Sequence, residues 1–284
     1  MKIMLLSLPG MGQKEDNLFP LGIGYLLSSL KKFHDVQAYH FNGLARAKKQ
    51  IIKAIRIFNP DIIGFTCNTF NRSLVRESIQ WIRKVNKNIK IIVGGIHASF
   101  CYEQVLNHYG ADIIVIGEGE NTLVNLCNAL QNNEVLESIA GIAYRENNKI
   151  ILNALSSFID DLDILPMPDY SYAASIIEQS KMGFLITSRG CPVRCIFCST
   201  SSFWGQRIRM HSIKRVVDEM QMLINQFKVK KIFFHDDTFN LSIDRVKAIC
   251  KEIVDRNIEV EWGCSCRVIP VSEEMVSAMV AAGC

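Results

Sequence analysis

Long apolar runs are missing from this sequence. No stretch reaches the roughly 18 to 20 residues that a helix needs to cross a bilayer, which excludes a membrane-spanning reading. A strong charge of either sign is missing too. The 32 Lys and Arg against 28 Asp and Glu leave a formal charge of +4, and the cations are scattered rather than gathered in a run, which argues against a nucleic-acid partner. The opening MKIMLLSLPG lacks the small-residue cleavage site of a secretory leader, and Pro9-Gly10 ends its short apolar part; a buried parallel strand fits it better. Nor is there a disulfide framework. Of ten cysteines, seven (Cys67, Cys101, Cys127, Cys250, Cys264, Cys266, Cys284) are scattered, several inside apolar strand or helix patterns. They read as small buried hydrophobes in a reducing compartment, so the expected location is the cytoplasm.

What is present is alternation. The 284 residues, 49% hydrophobic and 21% charged, suit two ordinary globular domains. KIMLLSL, VQAYHF, DIIGFT, KIIVGG and DIIVIGE read as strands buried on both faces, with helical patterns near 20–33, 45–58, 73–86, 101–109 and 121–132. This predicts an α/β fold with a Rossmann-like, doubly wound parallel sheet over 1–140, whose ligands would bind at the carboxyl ends of the strands. Residues 141–180 are expected to hold a hairpin around Glu146-Asn147-Asn148 and a linker. Over 181–284 the alternation resumes. GFLITS, KKIFFHD and EVEWGCSCRV are expected strands, and 212–227, 242–257 (capped by Ser242) and SEEMVSAMVAAG expected helices. Three βα units leave an open edge where a barrel-like sheet needs more strands, so the expectation is a chain that is the front part of something longer.

Cys191, Cys195 and Cys198 follow the strand GFLITS directly, at spacing C-x3-C-x2-C. Structural zinc and conventional iron–sulfur clusters take four protein ligands. Three thiolates on one tight loop can hold three corners of a cubane and leave the fourth iron open for a substrate or cofactor. Cys264 and Cys266 could supply a fourth ligand, but strand alternation places them along the third strand instead. A zinc knuckle, or three incidental cysteines, is the bland alternative.

The loop CPVRCIFC after a strand, with Phe197 before the last cysteine, resembles the signature of radical S-adenosylmethionine (SAM) enzymes. The resemblance implies a partial (β/α) barrel with a [4Fe-4S] cluster on Cys191, Cys195 and Cys198. It also implies SAM chelated by the open iron and cleaved to a 5′-deoxyadenosyl radical, which abstracts hydrogen from unactivated positions. It assigns SAM contacts to Phe197 and to Asp236, Asp237 and Thr238 at the end of the second strand. Many members carry Gly-Gly-Glu there, so this chain departs from the commonest form, though D-D-x-F resembles a variant seen with cobalamin-binding front domains. Carboxylates facing the SAM ammonium make chemical sense; a helix cap with a solvated acidic pair is the plain alternative.

PLGIGYLLSSL, VGGIHAS, VIGEGENT and the proline-bearing IDDLDILPMPDY resemble the cobalamin-binding domain and linker of one radical SAM subgroup, so the likeness covers nearly the whole chain. It implies cobalamin contacts at Thr66, Asn68, Thr69, Gly94, Gly95, His97, Gly117, Glu118 and Gly119. The D-x-H-x-x-G sequence whose histidine ligates cobalt in mutase-type domains is absent, so His97 has no support as that ligand. A Rossmann-like domain without the cofactor is the alternative.

The function implied is C–H functionalisation of a small-molecule substrate, foremost methyl transfer, with oxidative ring closure as on a magnesium porphyrin the alternative chemistry. The reductant would be flavodoxin or ferredoxin. A truncated, non-catalytic protein holding a cluster or cobalamin is the alternative of another class. A zinc-dependent regulator would need a basic surface or a fourth ligand, and neither is visible.

Overall fold

The computed structural model describes residues 1–10, 19–41 and 44–284, without the side chains of 44–46. The chain divides into two compact units, Met1–Phe158 with Leu165–Ala173, and Ile159–Ile164 with Ala174–Cys284.

The first unit is built on β1 (Lys2–Ser7), β2 (Asp35–His40), β3 (Ile62–Thr66), β4 (Lys90–Gly94) and β5 (Ile113–Val115). Between them run α1 (Leu21–Leu30), α2 (Leu44–Phe58), α3 (Arg72–Val85), and the short pair α4 (Ile96–Phe100) and α5 (Tyr102–His108); α6 (Gly119–Asn132) follows β5. The five strands pair in parallel in the order β2-β1-β3-β4-β5. The central strands β1, β3 and β4 are apolar along their middles because they are covered on both faces, while the edge strand β2 carries Gln37 and is only half-buried. Met4, Leu6, Ile63, Phe65, Ile91 and Val93 pack with Ile51 of α2, Val75 and Ile79 of α3 and Val105 of α5. Their neighbours Ile3, Leu5, Ile62 and Ile92 turn to Ile23 and Leu27 of α1 and Leu126 of α6.

The hairpin β6 (Ile142–Glu146) and β7 (Lys149–Leu152) turns through Asn147 and Asn148, both at positive φ, as the sequence predicts. Its place corrects the expected boundary. β6 pairs antiparallel with β5 and β7 with β6, so the hairpin extends the front sheet instead of standing with the linker. The reason is the free edge of β5, which Ile142, Ala143 and Tyr144 cover with buried side chains.

The expected linker is likewise shared out. Residues 165–173 lie over α1: Ser28 Oγ donates to the Met167 carbonyl at 2.7 Å, Asp169 N donates to the Gly24 carbonyl at 3.1 Å, and Tyr172 Oη donates to the Pro20 carbonyl at 2.7 Å. Gly24 permits that approach, since a Cβ there would meet the Asp169 carbonyl oxygen at 3.1 Å.

In the second unit, α7 (Ala174–Ser180) leads into β8 (Met182–Leu185), the first strand of a parallel sheet with β11 (Lys231–Phe234) and β12 (Glu261–Cys264) in the order β12-β11-β8. Between β8 and β11 come β9 (Ser188–Arg189), α8 (Thr200–Trp204), β10 (Arg209–Met210) and α9 (Ile213–Phe227); α10 (Ile243–Asp255) precedes β12 and α11 (Glu273–Ala281) follows it. The three long helices start alike. Ser212, Ser242 and Ser272 each accept a hydrogen bond from the backbone N–H three residues on, satisfying a donor the helix itself leaves free. Phe234, Phe239 and Trp262 pack together, with ring centroids 5.0 to 5.7 Å apart.

Two expected strands are shorter than their apolar patterns. GFLITS breaks after Leu185, and Ser188–Arg189 pairs antiparallel with β10. The strand through Cys264 ends there, so Cys266 lies beyond it and is exposed. Among the described residues no helix is long and apolar enough to cross a membrane.

Candidate functional site

The break after β8 has a cause in the next strand. Asp236, just past β11, is buried and accepts from Thr187 N, Thr187 Oγ1 and Ser188 Oγ, each at 2.6 Å. The Arg245 guanidinium of α10 donates to the carbonyls of Thr187 at 3.2 Å and His211 at 2.7 Å. The chain leaving β8 is thereby held at both faces of Thr187. Burial pushes the Asp236 pKa up, and the donated hydrogen bonds together with the Arg245 charge offset only part of that. Beyond, Asp163 accepts from His211 Nδ1 at 3.1 Å and Ser212 N at 3.0 Å. Burial, helped by the Arg215 charge, outweighs the Asp163 contact and holds the His211 pKa at about 4, so this pair is a neutral imidazole donating to a carboxylate.

This network launches the cysteine loop. Gly190 has φ +94°, and a Cβ there would lie 2.4 Å from the Arg207 carbonyl oxygen, so only glycine fits the step into Cys191. The Cys191 thiol is buried, 3.9 Å from Thr238 Oγ1. Cys195 is half-buried, with Arg267 Nη1 reaching its sulphur at 3.9 Å, and Cys198 is exposed. Thr200, just after the loop, donates to Asp237 at 3.2 Å. The Asp237 pKa is pushed up by partial desolvation, which the Thr200 bond offsets and the Asp236 charge reinforces.

Of the residues expected to contact SAM, Asp237 and Thr238 therefore stand beside the cysteine loop. Asp236 does not present its carboxylate there; it faces inward and is spent on Thr187 and Ser188, which corrects its expected role. Phe197 is 89% exposed. Two residues of this unit escaped the sequence pattern. Arg267 reaches Cys195, and Asn240 fixes it: Asn240 Oδ1 accepts from Arg267 N at 2.8 Å while its Nδ2 donates to the Arg267 carbonyl at 2.8 Å and the Pro270 carbonyl at 2.6 Å. An Asn six residues past a strand end, fully buried, carried no local sequence signal.

The donor set fits an iron–sulfur group. Three free thiols sit on one loop at the carboxyl edge of a parallel sheet, with a cation and a hydroxyl against two of them. Among the described residues no three ligating side chains are already gathered as a metal cage.

In the first unit, the order 2-1-3-4-5 reverses between β1 and β3, the crevice where such sheets bind ligands. Asn71, missed in the sequence, spans it: its Nδ2 donates to the Leu8 carbonyl at 3.2 Å and the Thr66 carbonyl at 3.1 Å. Asn68 N donates to Asn71 Oδ1 at 2.8 Å, and Asn68 Oδ1 accepts in return from Asn71 N at 3.0 Å, so both amides shape the turn. Gly95, at φ +94°, is pressed against the next strand: a Cβ would meet Cys67 O at 2.8 Å and Thr66 Oγ1 at 3.1 Å. Gly117, at φ +76°, borders open space, and its N–H donates to Ser99 Oγ at 3.0 Å. Thr66, Asn68, Thr69, Gly94, Gly95, Gly117, Glu118 and Gly119 all lie at the carboxyl ends of β3, β4 and β5. His97 lies there too but is buried, its Nε2 3.4 Å from Tyr109 Oη, and burial lowers its pKa.

Comparison with known proteins agrees with this division. Residues 11–127 match the B12 binding domain model and residues 185–284 the Radical SAM superfamily model. The chain is 34% identical over 274 residues to an uncharacterised methyltransferase of Pyrococcus horikoshii, covering 93% of this chain and 59% of that protein. It is 30% identical to the anaerobic magnesium-protoporphyrin IX monomethyl ester cyclase of Cereibacter sphaeroides, covering 90% of this chain and 44% of the cyclase. The structure of a radical S-adenosylmethionine methyltransferase, TsrM, from Kitasatospora setae, with tryptophan and a SAM analogue bound, has the same fold. Its TM-score is 0.84 at 21% identity, over 99% of this chain and 58% of that one. The chain spans about half the length of the curated relatives it matches. It belongs to the radical SAM proteins that carry a cobalamin-binding front domain.

Proposed function

We propose that this chain is the cofactor-bearing part of a radical SAM enzyme that functionalises an unactivated C–H bond of a small molecule, foremost by methyl transfer. The observation that carries the reading is the C-x3-C-x2-C loop launched by Gly190 at the carboxyl edge of β8, with Thr238 and Arg267 against its sulphurs. Cys191, Cys195 and Cys198 would hold a [4Fe-4S] cluster, which with SAM supplies the 5′-deoxyadenosyl radical, and cobalamin in the first unit would supply the methyl group. Asp237 and Thr238, beside the cysteine loop, would receive the SAM ammonium, and Phe197 would cover the adenine side. Thr66, Asn68, Thr69, Gly94, Gly95, Gly117, Glu118 and Gly119 would border cobalamin, with close backbone approach allowed by the glycines. His97, tied to Tyr109, is not offered as a cobalt ligand.

Likeness to the cyclase supports C–H chemistry without methyl transfer as a second reading. A flavodoxin or ferredoxin would deliver the electron. Ten free cysteines support a reducing compartment, the cytoplasm.

The test is electron paramagnetic resonance of the chain after anaerobic reconstitution with iron and sulfide and reduction, with and without SAM. A cubane signal that changes on adding SAM is expected. Zinc retained in place of a cluster would overturn the reading.

A further inference from the structure

A second set of thiols stands at the carboxyl end of β12, apart from the cysteine loop. Cys264, half-buried, closes the strand, and exposed Cys266 lies two residues on, with the two sulphurs 3.5 Å apart. Cys284 is set against them by the end of α11: the Gly283 carbonyl accepts from Trp262 N at 3.0 Å, and Cys284 N donates to the Met279 carbonyl at 3.0 Å. The neighbouring Cys284 thiol first, then burial, then Cys266 push the Cys264 pKa up, and Cys264 in turn lowers that of Cys284.

We propose that Cys264 and Cys266 are a redox-active dithiol that closes to an intramolecular disulfide on meeting a low-molecular-weight disulfide such as oxidised glutathione. Exposed Cys266 reacts first. Its thiolate attacks one glutathione sulphur, a mixed disulfide forms, and one glutathione leaves, taking up the proton Cys266 lost. The Cys264 thiol then gives its proton to water and its sulphur attacks that of Cys266. The bond to glutathione breaks, and the second glutathione leaves and collects the proton. Two protein thiols are oxidised by two electrons, and one glutathione disulfide is reduced to two glutathiones. The dithiol adjoins Arg267, whose guanidinium reaches Cys195, so its oxidation would bear on the cysteine loop. The proposal is independent of the radical SAM reading, since it concerns the metal-free chain.

The experiment treats the full, metal-free, reduced chain with oxidised glutathione, quenches it with acid, alkylates the remaining thiols and maps peptides by mass spectrometry. The peptide holding Cys264 and Cys266 is expected to lose two hydrogens, to escape alkylation at both positions, and to regain it after dithiothreitol. Cys264→Ser should trap glutathione on Cys266, because the second thiol that would displace it is gone. Circular dichroism confirms that the variant folds, and the parent chain's map stands without it. Both thiols staying alkylatable, or Cys264 pairing instead with Cys284 or a loop cysteine, would overturn the proposal.

Discussion

The two units offer their carboxyl edges in different chemical terms. The first presents mostly backbone: glycines at the ends of β4 and β5, a Cβ-free contact at Gly95, and Asn68 and Asn71 used up in shaping a turn. The second presents side chains: three thiols on a loop held at its root by the buried Asp236 carboxylate, with Arg267 and Asp237 beside it. The difference is one of preparation. A surface made of backbone is finished when the sheet is finished, whereas the positions of three thiols, one of them the exposed Cys198, depend on the conformation of their loop. A flat or phosphate-bearing ligand suits the former, and a covalently held inorganic cluster suits the latter.

The sharpest test of that contrast is iron retention. Alanine at Cys191, Cys195 or Cys198 should abolish reconstituted iron, read by colorimetric assay and absorbance, while Cys127→Ala in the first unit leaves it intact. Equal loss in both sets would break the comparison.

Next come the glycines. Gly190→Ala must move the Arg207 carbonyl and should cost the second unit about 3 kcal/mol or more. In the first unit Gly95→Ala, against Cys67 O, should cost about 2–3 kcal/mol. Gly117→Ala, with open space around it, should cost about 1 kcal/mol for its backbone angle alone. Urea unfolding of the three variants ranks them, and a Gly117 cost equal to that of Gly95 would show that the close approach contributes nothing.

Asp236→Asn should cost about 2 kcal/mol, because a neutral amide facing Thr187 and Ser188 replaces a carboxylate that accepts from three donors. Its signature is local: hydrogen exchange should quicken at Thr187 and Ser188 and stay unchanged at Gly117.

Acid has the smallest effect near neutrality. His211 is neutral in the folded chain down to a pKa of about 4, while the unfolded chain takes up that proton below about pH 6.5. The stability it lends is therefore complete above about pH 6.5 and is lost as pH falls toward 4. Asp163, whose pKa is lowered on balance against its burial by Ser212 and His211, loses its share further down. Melting of the second unit followed by Trp262 should fall across that interval, and His211→Gln should flatten the fall.

Much of this was legible before folding. Apolar runs and helical spacing marked nearly every element, Glu146-Asn147-Asn148 marked the hairpin, and C-x3-C-x2-C marked the loop. Strand parity went unused. Ile232, Phe234 and Asp236 share the buried side while His235 and Asp237 share the exposed one, so the two acids could have been separated from the pattern alone. Asn71 and Asn240 could not. Each satisfies backbone carbonyls brought close by other strands or loops, and that proximity exists only after the chain has folded.

The segment from Ile159 to Ala173 has a consequence for inheritance. The chain enters the second unit at Ile159, returns to the first at Leu165 and leaves it again after Ala173. A gene break at any one point would strand part of one unit with the other: ending at Phe158 uncovers α1, and starting at Leu165 removes Asp163 from His211. The two units are stitched rather than strung, and recombination could exchange either one only by carrying the whole seam with it.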